Sequence, residues 1–209
     1  MFVSLDGIDG GGKSTQIQML VEWLEGSGKQ VVTFRDPGST RLGESIREIL
    51  LHREEVPLAS TAEMLLYMAA RAQLVDERIR PALAEGMIVL CDRFLLANVV
   101  YQGCGGGLDI DALWSVGRIA TGGLSPDITF LLDIPVELAM QRVGGQQDRL
   151  EKRGKDYFER VRQGFLTQLP RASSKGFVVD ASQGIEAIQK AIRSELTLQD
   201  GISEVSKQR

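Results

Sequence analysis

The chain has 209 residues, 43% of them hydrophobic, and a formal net charge of −4. This length suffices for one sizeable core but is short for two, so a single domain is expected over residues 1–199, followed by a flexible tail at 200–209. The acidic balance argues against a broad basic face for nucleic acid or an anionic membrane, so the expected partners are small anions.

Membrane and metal signals are also lacking in the sequence. No apolar stretch approaches the length of a membrane span, and Asp6 interrupts the first apolar run before it could act as a secretion signal. The two cysteines, Cys91 and Cys104, form no CxxC pair, and the single histidine, His52, lies in a segment that is typical of a surface loop. These features predict a cytoplasmic protein without a structural zinc ion.

Five short apolar runs rich in β-branched residues predict strands that are buried on both faces. They are 2–5, 30–34, 87–91, 128–132 and 177–179. Segments with a helical period lie between and after them. These are 17–24, 42–50, 61–85, 109–121, 135–142, 155–169 and 185–192. Pro81 should kink or divide the longest of them. Strands that alternate with helices predict crossovers, and so an α/β fold with a five-stranded parallel sheet sandwiched by helices.

The first strand leads into the segment DGIDGGGKST, which fits the phosphate-binding pattern GxxxxGK[ST]. Glycines allow several backbone N–H groups to face one anion, and the following helix adds its positive N-terminal end. Lys13 would reach the β- and γ-phosphates of a nucleotide, and Ser14 would hold Mg²⁺. The predicted phosphate site comprises Gly7, Gly10, Gly11, Gly12, Lys13, Ser14 and Thr15.

A phosphate loop alone is shared by several classes of protein. A GTPase should carry NKxD, which is absent, and a motor ATPase usually ends a strand on Asp-Glu, where this chain has Asp92-Arg93. A kinase for a small acceptor needs a second anion site with arginines near the carboxyl ends of the strands. Arg35-Asp36, Asp92-Arg93 and Asp133 stand at such ends, which favours a kinase.

Several segments together resemble one family. They are GIDGGGKST, RDPGST, YMAAR and DRFLLANVVYQGCGGGL, and the likeness to bacterial thymidylate kinases extends from Phe2 to about Leu196. The resemblance implies a P-loop kinase fold and transfer of the γ-phosphoryl group of ATP to dTMP, giving dTDP, with Mg²⁺ as cofactor. It also implies a homodimer formed through helices away from the nucleotides.

The resemblance assigns roles in reading the acceptor nucleoside. Tyr67 would stack on thymine, and Arg71, one helical turn later, would donate to the O4 atom of the base. Asn98 and Gln102 match positions that read the edge of the base. Tyr101 matches a tyrosine that packs on the sugar and disfavours a 2′-hydroxyl group.

Further matches concern the phosphates of the acceptor and the metal ion. Asp9 would meet the 3′-hydroxyl group, while Arg47 and Arg93 would hold the 5′-phosphate of dTMP. Asp36 and Asp92 would order the water shell of Mg²⁺ or brace the arginines. Lys13 and Arg93 are therefore expected to be catalytic.

The polar, basic segment at about 143–156 resembles a mobile lid that closes over ATP. Arg149 best matches the arginine that such a lid brings to the transferring phosphoryl group, and Arg142 is the second candidate. The segment 180–184, DASQG, would pass near adenine.

Three features of the sequence depart from the family pattern. Gly106 replaces an arginine, Ala97 replaces a serine, and residues 144–147 lack a common basic residue. Loss of one transition-state cation can cost ~10²-fold in rate unless Lys152 or Arg153 substitutes. Two alternatives therefore stand beside the kinase for dTMP: a catalytically weakened nucleotide-binding protein, and a P-loop kinase for another small acceptor.

Overall fold

The computed structural model describes residues 1–53, 55–143 and 154–200. Within them five strands form one parallel sheet in the order β2-β3-β1-β4-β5. The strands are β1 (Phe2–Asp6), β2 (Val31–Arg35), β3 (Ile88–Asp92), β4 (Ile128–Asp133) and β5 (Lys175–Asp180). The sequence prediction of a five-stranded parallel sheet is thereby confirmed.

The burial of the strands depends on their place in the sheet. The residues of β1 are buried throughout, and those of β3 and β4 are buried except for the last one of each strand. Both edge strands retain exposed residues, and Val178 of β5 is 54% exposed. Burial on both faces was therefore a correct prediction for the three central strands and a wrong one for β2 and β5, because an edge strand has a neighbour on one side only.

Helices follow or separate these strands, as the sequence predicted. They are α1 (Lys13–Gly26), α2 (Arg41–Leu51), α3 (Ser60–Leu74), α4 (Arg80–Ala84), α5 (Leu95–Asn98), α6 (Ile110–Ala120), α7 (Val136–Arg142), α8 (Lys155–Gln168) and α9 (Ile185–Asp200). Most of the expected lid and nearly all of the expected tail lie outside the described residues.

The long helical segment before β3 is divided, as Pro81 suggested, but the division precedes the proline. A π-helical turn, Val75–Ile79, joins α3 to α4, and the backbone N–H of Arg80 donates to the carbonyl of Val75. Proline has no N–H group to donate to the preceding turn and crowds that turn. A wider turn before Pro81 accommodates the missing hydrogen bond.

Helix α5 and the π-helical segment after it, Val99–Gly105, were not predicted. Their side chains are buried from Leu95 to Gly103, so the segment shows no amphipathic period. This buried segment carries three of the expected acceptor-binding side chains, Asn98, Tyr101 and Gln102, and its last residue is a glycine.

Gly117 of α6 lies against Leu95 at the start of this segment. A Cβ atom at Gly117 would approach Cδ2 of Leu95 to 2.6 Å and Cγ to 3.0 Å. We therefore expect Gly117→Ala to lower the free energy of unfolding by about 1–3 kcal/mol through overpacking, as measured by urea denaturation. Gly26→Ala is the matched control, since a Cβ atom there meets nothing within 4 Å. Equal effects at both glycines would contradict this account.

Candidate active site

The phosphate loop joins β1 to α1 at the carboxyl edge of the sheet. Gly7 has φ of 132°, and a Cβ atom there would lie 2.6 Å from the carbonyl oxygen of Leu132. Gly12, with φ of 87°, immediately precedes the first residue of α1. Both conformations favour glycine, and the loop therefore presents backbone rather than side chains at the positive end of the helix.

Lys13 is folded back onto this loop. Its side chain is 5% exposed, and Nζ donates to the carbonyl oxygens of Gly7 at 3.1 Å and Ile8 at 3.0 Å. Burial and the nearby charge of Arg93 lower the pKa of Lys13, while the carboxylate of Asp9, 3.8 Å away, opposes that shift. An anion in the loop would favour the charged form of this lysine.

Arg93 follows β3 with φ of 66° and turns its side chain toward the loop. Its Nη2 donates to Oδ1 of Asp9 at 2.7 Å and lies 3.4 Å from the hydroxyl oxygen of Tyr101. Burial alone would raise the pKa of Asp9, but the charges of Arg93 and Lys13 together hold it well below its usual range. Asp9 is thus an ionised acceptor between two cations.

Ser14 and Asp92 lie together beside the loop. The hydroxyl of Ser14 donates to Oδ2 of Asp92 at 3.3 Å, while Oδ1 of Asp92 is buried without a hydrogen bond in the described part of the chain. A hydroxyl oxygen and a carboxylate are ligands that Mg²⁺ accepts directly or through water. The residues present therefore fit a magnesium ion at this position.

A second cleft opens next to the phosphate loop. It gathers the eight acceptor-binding residues expected from the sequence, namely Asp9, Asp36, Arg47, Tyr67, Arg71, Asn98, Tyr101 and Gln102. Two of them, Asp9 and Arg47, also line the cleft over the phosphate loop, as does Arg93 of the same cleft. The two clefts are therefore contiguous.

One wall of this second cleft contains a continuous chain of buried polar side chains. Arg71 donates through Nε to Oδ2 of Asp36 at 2.6 Å and through Nη1 to Oδ1 of Asn98 at 3.0 Å. Nδ2 of Asn98 donates to Oε1 of Gln102 at 2.7 Å, and Nε2 of Gln102 donates to Oε1 of Glu63 at 2.9 Å. All five side chains belong to residues that are at most 5% exposed.

Sequence reasoning missed Glu63, although a signal was present. Glu63, Tyr67 and Arg71 are spaced by four residues along α3, so they share one face of the helix. Tyr67 is 8% exposed and packs with Ile46 and Leu50 while lining the cleft, so it belongs both to a small core and to the site.

Of the two arginines expected to act on the transferring phosphoryl group, only Arg142 lies among the described residues. Nη1 of Arg142 donates to the carbonyl oxygen of Ala181 at 2.8 Å and to that of Gly10 at 3.4 Å. Arg142 thus bridges the phosphate loop and the loop after β5, the segment expected near adenine. Arg149, Lys152 and Arg153 lie outside the described residues.

Comparisons with known proteins agree on one family. The sequence profile of the thymidylate kinase family matches residues 5–192. A thymidylate kinase from Rhodopirellula baltica is 50% identical over 190 residues, covering 91% of this chain and 77% of that protein. Thymidylate kinases from an Exiguobacterium species and from Kosmotoga olearia are 46% and 43% identical, covering 92% and 95% of this chain and 92% and 96% of those proteins. Among the described residues, no helix is long and apolar enough to cross a membrane.

Asp6 lies beneath the phosphate loop, fully buried, and neither carboxyl oxygen has a hydrogen bond among the described residues. Burial raises its pKa from 3.8 to about 6. The folded protein therefore binds this proton more tightly than the unfolded chain, so stability falls as the pH rises through the folded-state pKa. Between about pH 4 and about pH 7, the wild type should lose up to about 3 kcal/mol relative to Asp6→Asn.

The measurement is the free energy of unfolding in urea for both proteins across this pH range. Asp76→Asn, which changes a carboxyl that is 83% exposed, is the matched control. A difference between wild type and Asp6→Asn that does not vary with pH would contradict the expectation.

Proposed function

The chain belongs to the thymidylate kinase family, and we propose that it transfers the γ-phosphoryl group of ATP to dTMP, giving ADP and dTDP. The observation that carries this proposal is the pair of contiguous clefts, one over the phosphate loop and one lined by Tyr67 and Arg71, that share Asp9, Arg47 and Arg93. Two anionic nucleotides can meet end to end there, with cations where their phosphates approach.

In the donor cleft, backbone N–H groups of the phosphate loop and the N-terminus of α1 would hold the phosphates of ATP. Lys13 would leave the carbonyls of Gly7 and Ile8 and reach the β- and γ-phosphates. Arg93 would neutralise charge between donor and acceptor, since it lines both clefts. Positioning and electrostatic stabilisation supply most of the catalysis in such a transfer.

In the acceptor cleft, Tyr67 would stack on the base, while Arg71 and Asn98 would read its edge. Nη2 of Arg71 contacts the carbonyl oxygen of Phe94 at 3.4 Å and carries a second proton for a base carbonyl. Oδ1 of Asn98 accepts from Arg71 and has a second lone pair for a base N–H. A donor next to an acceptor suits the O4 and N3–H groups of thymine.

The remaining acceptor residues surround the sugar and phosphate. Tyr101 would pack on the sugar, Asp9 would accept from the 3′-hydroxyl group, and Arg47 with Arg93 would hold the 5′-phosphate. The support is geometric: Arg47 already donates to the carbonyl oxygen of Pro37 at 3.0 Å at the mouth of the cleft.

Ser14 would bind Mg²⁺ and Asp92 would hold it through water, as their adjacency supports. When bound, the ion neutralises charge on the β- and γ-phosphates. We also assign the segment at about 143–156 as the lid, with Arg149 acting on the phosphoryl group, within a single domain over 1–199.

The proposed enzyme is a homodimer in the cytoplasm. Helices α2, α3 and α6 leave large apolar side chains exposed, with Leu42 at 48%, Leu65 at 50% and Ile119 at 80%, which a second copy would bury. Cys91 and Cys104 are free thiols, as expected for a protein in a reducing compartment.

A coupled assay of ADP release tests the reaction against all nucleoside monophosphates. We expect kcat/KM for dTMP to exceed that for dCMP by at least ~10²-fold. Lys13→Ala should lower kcat by at least ~10²-fold because it removes a cation from the transition state. Lys29→Ala, at an exposed lysine, is the control. Equal turnover of dTMP, dCMP and dGMP would overturn the substrate, and tight binding without turnover would favour the weakened alternative.

Gly106 replaces the family's arginine, and the backbone leaves no room to restore it. A Cβ atom at Gly106 would lie 2.6 Å from the carbonyl oxygen of Gln102, which accepts from the N–H of Leu108 at 3.1 Å. Gly106→Arg should therefore displace Gln102 and raise KM for dTMP by ~10-fold without raising kcat. Gly26→Arg, where a Cβ atom meets nothing within 4 Å, is the control. An increase of kcat in Gly106→Arg would refute this expectation.

A further inference from the structure

Glu63 has no role in the assignments above, although it belongs to the polar chain that passes along the wall of the acceptor cleft. It is 5% exposed, and it accepts a hydrogen bond from Nε2 of Gln102 at 2.9 Å. Glu63 is absent from the residues that line the cleft, whereas Gln102, Asn98 and Arg71 are among them. A buried carboxylate behind a binding wall needs a reason, since burial of a charge is costly.

The chemistry of Glu63 and Arg71 fixes the direction of every hydrogen bond between these two residues. A carboxylate only accepts, so Gln102 turns its amide nitrogen toward Glu63 and its oxygen toward Asn98. A guanidinium only donates, so Asn98 turns its oxygen toward Arg71 and its nitrogen toward Gln102. The side-chain amides of Asn98 and Gln102 are symmetric enough in shape to rotate by a half turn, but either rotation would set two donors or two acceptors against each other.

We propose that Glu63 is a specificity-determining positioning residue, which acts through Gln102 to hold the oxygen of Asn98 toward the base of the acceptor. This inference rests on the proposed function, because it concerns how the same cleft chooses its nucleotide. The chemical class selected is a base with an N–H beside a carbonyl, as in thymine and uracil. The class rejected is a base with a ring nitrogen beside an amino group, as in cytosine.

Asp36 and Glu63 are the two carboxylates of this chain. Asp36 orients the guanidinium of Arg71 through the contact of 2.6 Å, and Glu63 orients the two amides. With a neutral side chain at position 63, Gln102 could present either end of its amide to Asn98. A nitrogen of Gln102 turned toward Asn98 would oppose the nitrogen of Asn98, so Asn98 would have to shift, or to rotate at the cost of its bond from Arg71. Either change removes the acceptor for the N3–H of thymine.

The test compares kcat/KM for dTMP and dCMP, with KM for ATP, in the wild type, Glu63→Gln and the double variant Glu63→Gln/Gln102→Glu. Glu63→Gln preserves size and should lower the ratio of dTMP to dCMP by ~10-fold, mainly through KM for dTMP, with KM for ATP unchanged. The double variant returns one acceptor-only group to the chain, since a carboxylate at position 102 would accept from both residue 63 and Asn98. It should regain most of the ratio.

Glu77→Gln, at an exposed glutamate of the same helical segment, is the matched control. A ratio within about twofold of the wild type in Glu63→Gln would overturn the inference. So would equal losses for both nucleotides that the double variant does not repair, since that pattern indicates a purely structural role. If Glu63→Gln does not fold, the double variant decides: a retained ratio supports the inference and a lost one overturns it.

The outcome for the wild type separates the two proposals. A wild type that prefers dTMP while Glu63→Gln keeps the same preference leaves the proposed function intact and removes only the role of Glu63. A wild type without preference for dTMP removes the proposed function itself, and this inference with it.

Discussion

The structure depends on the contact between Asp9 and Arg93, 2.7 Å long, at the junction of the two clefts. Asp9 comes from the loop after β1 and Arg93 from the end of β3, strands that are neighbours in the sheet. Parallel strands place their carboxyl ends at one edge, so residues that are 84 positions apart in the sequence meet there. Without the carboxylate, Arg93 and Lys13 would repel each other across the site.

The same edge explains why buried aspartates accumulate in this protein. Among the described residues, the buried side-chain oxygens without a hydrogen bond belong to Asp6, Asp36 and Asp92, which end or directly follow β1, β2 and β3. Each carboxylate offsets the repulsion among the clustered lysine and arginine side chains. The cost is an incompletely bonded carboxyl group, and Asp6, whose pKa rises to about 6, shows that cost most clearly. A site that must receive two polyanions needs its cations assembled before either anion arrives.

Much of this arrangement could be predicted from the sequence because it follows from local patterns. The phosphate loop has a fixed spacing, and strand ends can be read from the residue at which an apolar run stops. The segment from Leu95 to Gly103 could not be predicted, since a helix buried all round has no amphipathic period. The contact of Glu63 with Gln102 could not be predicted either, because the two residues are 39 positions apart. Only the packing of α3 against the later segment brings them together.

Glycines allow helix α8 to pack closely against the wall of the acceptor cleft. A Cβ atom at Gly105 would lie 2.6 Å from the ring of Tyr157, and one at Gly164 would lie 2.7 Å from Sγ of Cys104. Helix α8 therefore packs closely on the segment Val99–Gly105, and the hydroxyl of Tyr157 donates to the carbonyl oxygen of Tyr101 at 3.1 Å. This close packing fixes the wall through contacts rather than through a cation. Arg47 and Arg93 of the acceptor cleft also line the donor cleft, so the cations on the acceptor side stand where the two nucleotides would meet.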